Sequence, residues 1–158
     1  MKRRLLFLIL TAITITFLNA VDFYVGTEPG DFPSIEAAIL QVQCDGDNIF
    51  LRDNTPANPE YVLNASTPET DYLLKTNLKS LSNDPTKCII NMGNSKGFTL
   101  PNLRSLTVKG VTLKGLNYSI NPNAYSLFNI TGNNCSLTLE NDIIINNYGL
   151  KSGVVAII

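Results

Sequence analysis

The feature that most restricts how this chain folds is a series of very short apolar segments that repeat. Beyond residue 48, stretches of three to six residues rich in Val, Ile, Leu and Phe are separated by Gly, Asn, Pro and Asp. Segments of that length with that punctuation read as strands joined by turns. The pattern predicts strands at 48–52, 61–63, 78–81, 88–92, 98–100, 103–108, 111–113, 125–130, 136–139, 143–145 and 153–158. Several are copies of one another. Arg104-Ser105-Leu106-Thr107-Val108 recurs as Cys135-Ser136-Leu137-Thr138-Leu139 at a shift of 31. Phe98-Thr99-Leu100 recurs as Phe128-Asn129-Ile130 at 30, and Val111-Thr112-Leu113 as Ile143-Ile144-Ile145 at 32. Asn77-Leu78-Lys79-Ser80-Leu81 recurs as Asn102-Leu103-Arg104-Ser105-Leu106 at 25. Self-similarity over 20–50 residues marks a solenoid, and three short strands per period with no helix between them make it a β-solenoid. Asparagine fits the same picture: 19 of the 158 residues are Asn, a residue that favours turns.

Ahead of the repeats lies one helical pattern. Residues 21–25 read as a strand and 26–30 break it. Ile35, Ala38, Ile39 and Val42 then share a face at helical spacing. Ser34 is placed to cap the N-terminus, Glu36 puts negative charge in the first turn, and Gly46 is placed to end the segment. Together with the strand at 48–52, residues 22–52 resemble the opening of the pectin-lyase-like right-handed parallel β-helix proteins. Gly30, Phe32, Ser34, Ile35, Ala38, Ile39, Gly46, Asp47, Ile49 and Leu51 carry the resemblance. It implies an all-β fold, a right-handed parallel β-helix whose short N-terminal helix, over 34–43, covers the open end of the first coil. Residues 77–158 then resemble successive coils. A second, weaker likeness is to polymorphic outer-membrane-type surface repeats. It rests on Ile144-Ile145-Asn146-Asn147 followed by Ser152-Gly153-Val154-Val155, with Ile144 where that group has Phe and Val154 where it has a second Gly.

Residues 1–20 read as an export signal outside the fold. Lys2, Arg3 and Arg4 precede a run of 14 residues, 5–18, without charge, Gly or Pro. A bilayer span needs roughly 20 apolar residues, whereas a signal h-region has this length. Cleavage is expected after Ala20, although Leu18 at the −3 position is larger than the small residue preferred there; an uncleaved signal anchor is the alternative. Removal leaves residues 21–158 as a single β-helix domain of 138 residues and takes the net charge from −1 to −4. The longest later apolar run, 154–158, has five residues, too few for a span. The expected location is secreted or at the cell surface, an oxidising compartment. Cys44, Cys88 and Cys135 there allow one disulfide and a free thiol, or three thiols buried as small hydrophobes. Asn64, Asn117, Asn129 and Asn134 head N-x-[ST] triplets and are the glycosylation candidates. Asn64 and Asn117 are favoured, because the other two lie beside strand-like runs.

Composition removes several kinds of chemistry. The chain has no His, which excludes a Ser-His-Asp triad, a Cys-His dyad and any zinc site built on imidazole. Its three Cys cannot form a four-thiolate metal site, and its net charge of −1 gives no footprint for nucleic acid. The enzymes of the resembled superfamily use aspartate clusters on the exposed face of one parallel sheet, with an Arg or Lys and, in lyases, Ca²⁺. Such a cluster is most simply built from carboxylates on adjacent coils, about 5 Å apart. Here Asp142 is the only Asp beyond residue 84 and Glu140 the only Glu beyond residue 69. At a shift of 31, Glu140 lies over Lys109 and Asp142 over Val111, which gives a charge pair and no carboxylate ladder. Asp45 and Asp47 read as a helix stop in preference to cation ligands. Asp53-Asn54 and Asp84-Pro85 read as turn starts. Tyr72, Tyr118, Tyr125 and Tyr148 are the candidates for stacking on sugar rings. Lys109 and Lys114 lie beside Gly110 and Gly115 without the pattern of a phosphate-cradling loop. No catalytic residue, metal ligand or cofactor is assigned.

Two functions remain. The preferred one is a non-catalytic secreted or cell-surface β-helix module for adhesion, display or glycan contact, with glycans or a cell-surface partner as ligands. The alternative is the N-terminal part of a polysaccharide-active β-helix enzyme (lyase, hydrolase or esterase) whose catalytic coils lie further along. Residues 153–158 are β-branched, free of Pro and uncharged, and no C-terminal cap is recognisable. An end of this kind calls for more chain, for self-association or a partner that covers it, or for poor solubility. A longer gene product is ranked first, which makes the domain incomplete at its C-terminus.

Overall fold

The computed structural model describes residues 20–42, 46–63, 76–93, 95–100, 104–117, 119, 126–149 and 154–157. The signal run over 1–19, Cys44, Asp45, Asn64, Tyr72, Tyr118 and Tyr125 lie outside the described residues. Among the described residues there is one short helix, α1 (Ile35–Ile39). The strands are β1 (Asp22–Val25), β2 (Asn48–Leu51), β3 (Tyr61–Val62), β4 (Asn77–Ser80), β5 (Ile89–Asn91), β6 (Phe98–Leu100), β7 (Ser105–Lys109), β8 (Thr112–Lys114), β9 (Phe128–Ile130), β10 (Ser136–Glu140), β11 (Ile143–Ile145) and β12 (Val155–Ile157). They pair in parallel into three sheets, in the orders β1-β2-β4-β7-β10, β3-β5-β8-β11 and β6-β9-β12. Within each sheet, successive strands come from successive coils, so the chain is an all-β parallel β-helix.

Alternation along each strand builds the core. Residues two apart share a face, and parallel pairing stacks equal phases. Ile49, Leu78 and Val108 form one inward row across β2, β4 and β7, and Ile90 and Leu113 another across β5 and β8. All five are fully buried. In the third sheet the rings of Phe98 and Phe128 stack with centroids 5.6 Å apart. The 31-residue shift holds through β7 and β10: Leu137 pairs with Leu106, Thr138 with Thr107 and Glu140 with Lys109.

Two of the repeat alignments need correction. Asn77 pairs with Thr107 and Leu78 with Val108, a shift of 30 in place of 25. The corner after β4, residues 81–88, is long, whereas the one after β7 is Gly110 and Val111 alone. The shift of 25 would also set exposed Leu81 in the row of buried Leu106. Likewise Ile143 pairs with Thr112 and Ile144 with Leu113, a shift of 31 in place of 32. A slip of one residue turns every side chain to the opposite face, and 31 is the value that lays Ile144 over buried Leu113.

The helix forms as its cap predicts. Ser34 is extended, its hydroxyl accepts from the Ala37 N–H at 3.2 Å, and Glu36 lies in the first turn. Its buried face, Ile35, Ala38 and Ile39, packs on β1 and β2 at the N-terminal end of the core.

The asparagines have two uses. The non-glycine residues with positive φ among those described are Asn83, Asn134, Asn141 and Asn146, and Asn tolerates the left-handed region better than most side chains. Asn141 sits over Gly110, where a Cβ would come within 2.7 Å of the Asn83 Cα; that corner admits only glycine. The second use is to carry hydrogen bonds between coils where strand pairing stops. The Asn54 amide oxygen accepts from the Ile89 N–H, and that of Asn147 from the Leu116 N–H at 3.0 Å. Two aspartates do the same. Asp47, inward-facing and buried, accepts from the Val21 N–H at 2.9 Å. Asp142 accepts from the Val111 and Glu140 N–H groups, each at 3.0 Å.

Of the cysteines, Cys88 is a buried free thiol, and burial pushes its pKa up to about 12. Cys135 is half-buried, with Sγ 3.3 Å from the Gly132 carbonyl oxygen.

Leu106→Ala should cost about 2–5 kcal/mol in denaturant unfolding, as fully buried leucines do. Leu137→Ala should cost less, because Leu137 is only partly buried. Thr138→Ser, on the outer face, should stay within about 0.5 kcal/mol.

Candidate functional site

The outer face of the five-stranded sheet collects polar and aromatic side chains into two rows. One row runs Asp22, Asn48, Asn77, Thr107, Thr138 across β1, β2, β4, β7 and β10; the other runs Tyr24, Phe50, Lys79, Lys109, Glu140. Parallel pairing lays like phases over one another, so each row becomes a ladder. In the first, the Asn48 amide donates to Asp22 at 2.7 Å and the Asn77 amide donates to Asn48 Oδ1 at 2.9 Å. In the second, the Tyr24 and Phe50 rings stack with centroids 5.6 Å apart. Arg52 covers the Tyr24 ring at 5.7 Å, and Lys79 Nζ lies 5.8 Å from the Phe50 centroid. Lys79 also donates to Asn48 Oδ1 at 2.9 Å, which ties the two rows together. The expected Lys109–Glu140 pair forms on this face, a partly exposed contact worth under about 1 kcal/mol.

Beside this face, a cleft of about 660 Å³ opens between the loop over 26–35, the corner over 52–62 and residues 81–82. Its lining includes the apolar or aromatic Ile35, Tyr61, Val62 and Leu81 and the acidic Glu28 and Asp53. Arg52, at the junction of cleft and face, is fixed by Asp31: Nε donates to Oδ2 at 2.6 Å and Nη2 to Oδ1 at 3.1 Å. The Asp31 side chain is only 4% exposed and also accepts from the Glu28 N–H. The Arg52 hydrogen bonds outweigh burial and hold the Asp31 carboxyl below the usual range. Tyr61 donates its hydroxyl to the Arg52 carbonyl oxygen at 2.7 Å, and burial raises its pKa. Glu60 accepts from Asn91 and pairs with Lys114 at 2.8 Å; these partners, Asn91 first, lower its pKa.

The remaining sequence candidates are dispersed. Asp53 accepts from the Ser82 hydroxyl and Asp84 from Thr86, as turn residues do. Tyr148 is exposed. Asn134 is exposed in a turn, and Asn117 is half-buried with its side chain accepting from Ser119. Asn129 is buried, 4% exposed, and its amide donates to the Ser126 and Lys96 carbonyls. Asp142 is half-buried, and burial raises its pKa against the opposing pull of its backbone N–H partners. Among the described residues no group of His, Cys, Asp and Glu is arranged to hold a metal ion, and no helix is long and apolar enough to cross a membrane. Sequence reasoning missed the Tyr24–Phe50 stack and the Asp22–Asn48–Asn77 ladder. Their signal was the shared alternation of 22–25, 48–51 and 77–80, legible once shifts of 26 and 29 are recognised.

Comparison with known family models, curated proteins and solved structures finds no match for this chain.

The Asp31–Arg52 pair predicts an acid dependence. A carboxyl with a folded pKa below its unfolded value of 3.8 contributes stability above that value and loses it as pH falls through the folded one. Wild type should therefore lose stability as pH falls below about 5, while Asp31→Asn should start less stable and show a flatter acid limb in denaturant titrations.

Proposed function

We propose that this chain is a non-catalytic secreted or cell-surface β-helix module that contacts glycan through the outer face of its five-stranded sheet. The observation that carries the reading is the makeup of that face. Amide, ammonium, hydroxyl and aromatic groups recur at the spacing of the strands, a regular set of donors and acceptors suited to a hydroxyl-rich ligand. Its two carboxylates, Asp22 and Glu140, stand on the first and fifth strands, about 19 Å apart at sheet spacing. A pair of acids working on one glycosidic bond stands within about 10 Å. Export rests on the basic residues and short apolar run at the N-terminus, and Asn134 is the best exposed acceptor for glycosylation among those described.

An array of neutral, amino and acidic oligosaccharides, probed with the purified chain, tests the reading. Binding should appear and should weaken about tenfold or more in Tyr24→Ala and in Lys79→Ala, with circular dichroism unchanged. Binding indifferent to both substitutions would move the contact elsewhere. New reducing ends or unsaturated products released from a polysaccharide would favour the enzyme reading.

A further inference from the structure

The three sheets do not begin alike. In the first sheet β1 lies against the outer side of β2. In the second, β3 is the terminal strand, and no described strand lies on its far side. The Leu63 N–H donates to the Asn91 carbonyl, which turns residues 61 and 63 toward β5. Alternate residues of a parallel strand face opposite neighbours, so the N–H and C=O of Val62 point off the sheet. Val62 is also 57% exposed. Val62 lines the cleft, as do residues of the loop over 26–35.

The charge of the cleft is one-sided. Glu28, Asp53 and Glu60 line it against Arg52 alone. Arg52 is held by Asp31 and Glu60 by Lys114. Glu28 and Asp53 remain without an ion pair among the described residues, in a lining that also includes Val62, Leu81 and Ile35. The volume lies within the range of clefts that take ligands.

We propose that this cleft binds an extended basic peptide segment of a partner protein. The segment adds as a strand to the edge of β3 that no described strand covers, and its Lys or Arg side chains reach Glu28 and Asp53. A free strand edge supplies backbone hydrogen bonds to any extended chain, and flanking side chains select among them. Here the apolar lining residues take the aliphatic stem of a long cationic side chain and the carboxylates take its head. The inference goes beyond the glycan-contact reading and stands without it, since it relies on β3 and the cleft lining.

The purified chain is titrated with short synthetic peptides of alternating Thr, Val and Lys. A second series carries Glu in place of Lys, and a third is the basic peptide with alternate backbone amides N-methylated. The basic peptide should bind saturably, shift the Val62 amide resonance and protect it from hydrogen exchange. The acidic and the N-methylated peptides should each bind about tenfold more weakly or worse. The double variant Glu28→Gln, Asp53→Asn should weaken the basic peptide alone, leaving the circular dichroism spectrum unchanged. Absence of saturable binding overturns the proposal. So does equal binding of the basic and acidic peptides, which removes the charge argument, or of the methylated and unmethylated ones, which removes the strand. A failed glycan array leaves each of these outcomes unaltered.

Discussion

Every coil of this molecule must pass its backbone hydrogen bonds to the coil above and the coil below. A buried peptide group without a partner costs about as much as a lost hydrogen bond, so the stacking has to be continuous through the corners as well as the strands. The strands meet this by parallel pairing in three sheets. The corners meet it with side chains: Asp47, Asn54, Asp142 and Asn147 each place a carbonyl or carboxylate oxygen where the neighbouring coil offers an N–H. Short corners also need left-handed backbone, which explains why Asn and Gly crowd them. The apolar rows follow from the same stacking, since residues of one phase fall over one another and exclude water together.

Chemistry arises where that regularity is exposed or interrupted. On the outer face the same stacking lines up Asp22 with Asn48 and Asn77, and Tyr24 with Phe50 and Lys79, so that single side chains become ladders. At the N-terminal end the interruption is uneven. The helix and β1 cover part of the first coil, while no described strand lies on the far side of β3, beside a cleft. At the other end of the described coils, Leu139 and Ile145 are exposed, and β10, β11 and β12 each terminate a sheet.

Much of this was legible in the sequence. Each strand lies within or overlaps a segment marked by its turn residues, because short strands flanked by Gly, Asn and Pro leave little else to form. The Ser34 cap and the 31-residue register of β7 and β10 were legible for the same reason: local chemistry and a clean repeat. What escaped was whatever depends on corner length. The similarity of 77–81 to 102–106 is a likeness of composition, and the eight-residue corner after β4 sets the true shift at 30. The outer ladders were hidden likewise, since Asn48 and Asn77 meet only when the intervening chain closes a full coil. That no described strand lies on the far side of β3 is a matter of tertiary arrangement, which no local pattern encodes.

The central claim is the stacking register, and a cross-link tests it most directly. Neighbouring parallel strands hold paired Cα atoms within the 4.4–6.8 Å that a disulfide accepts, and Thr107 and Thr138 are paired on the outer face. With Cys135 replaced by Ser, Thr107→Cys and Thr138→Cys should cross-link rapidly and nearly completely under mild oxidation. Thr107→Cys with Leu139→Cys should not, because Leu139 belongs to the opposite face. Efficient linkage of the second pair and failure of the first would contradict the register and the coil stacking built on it.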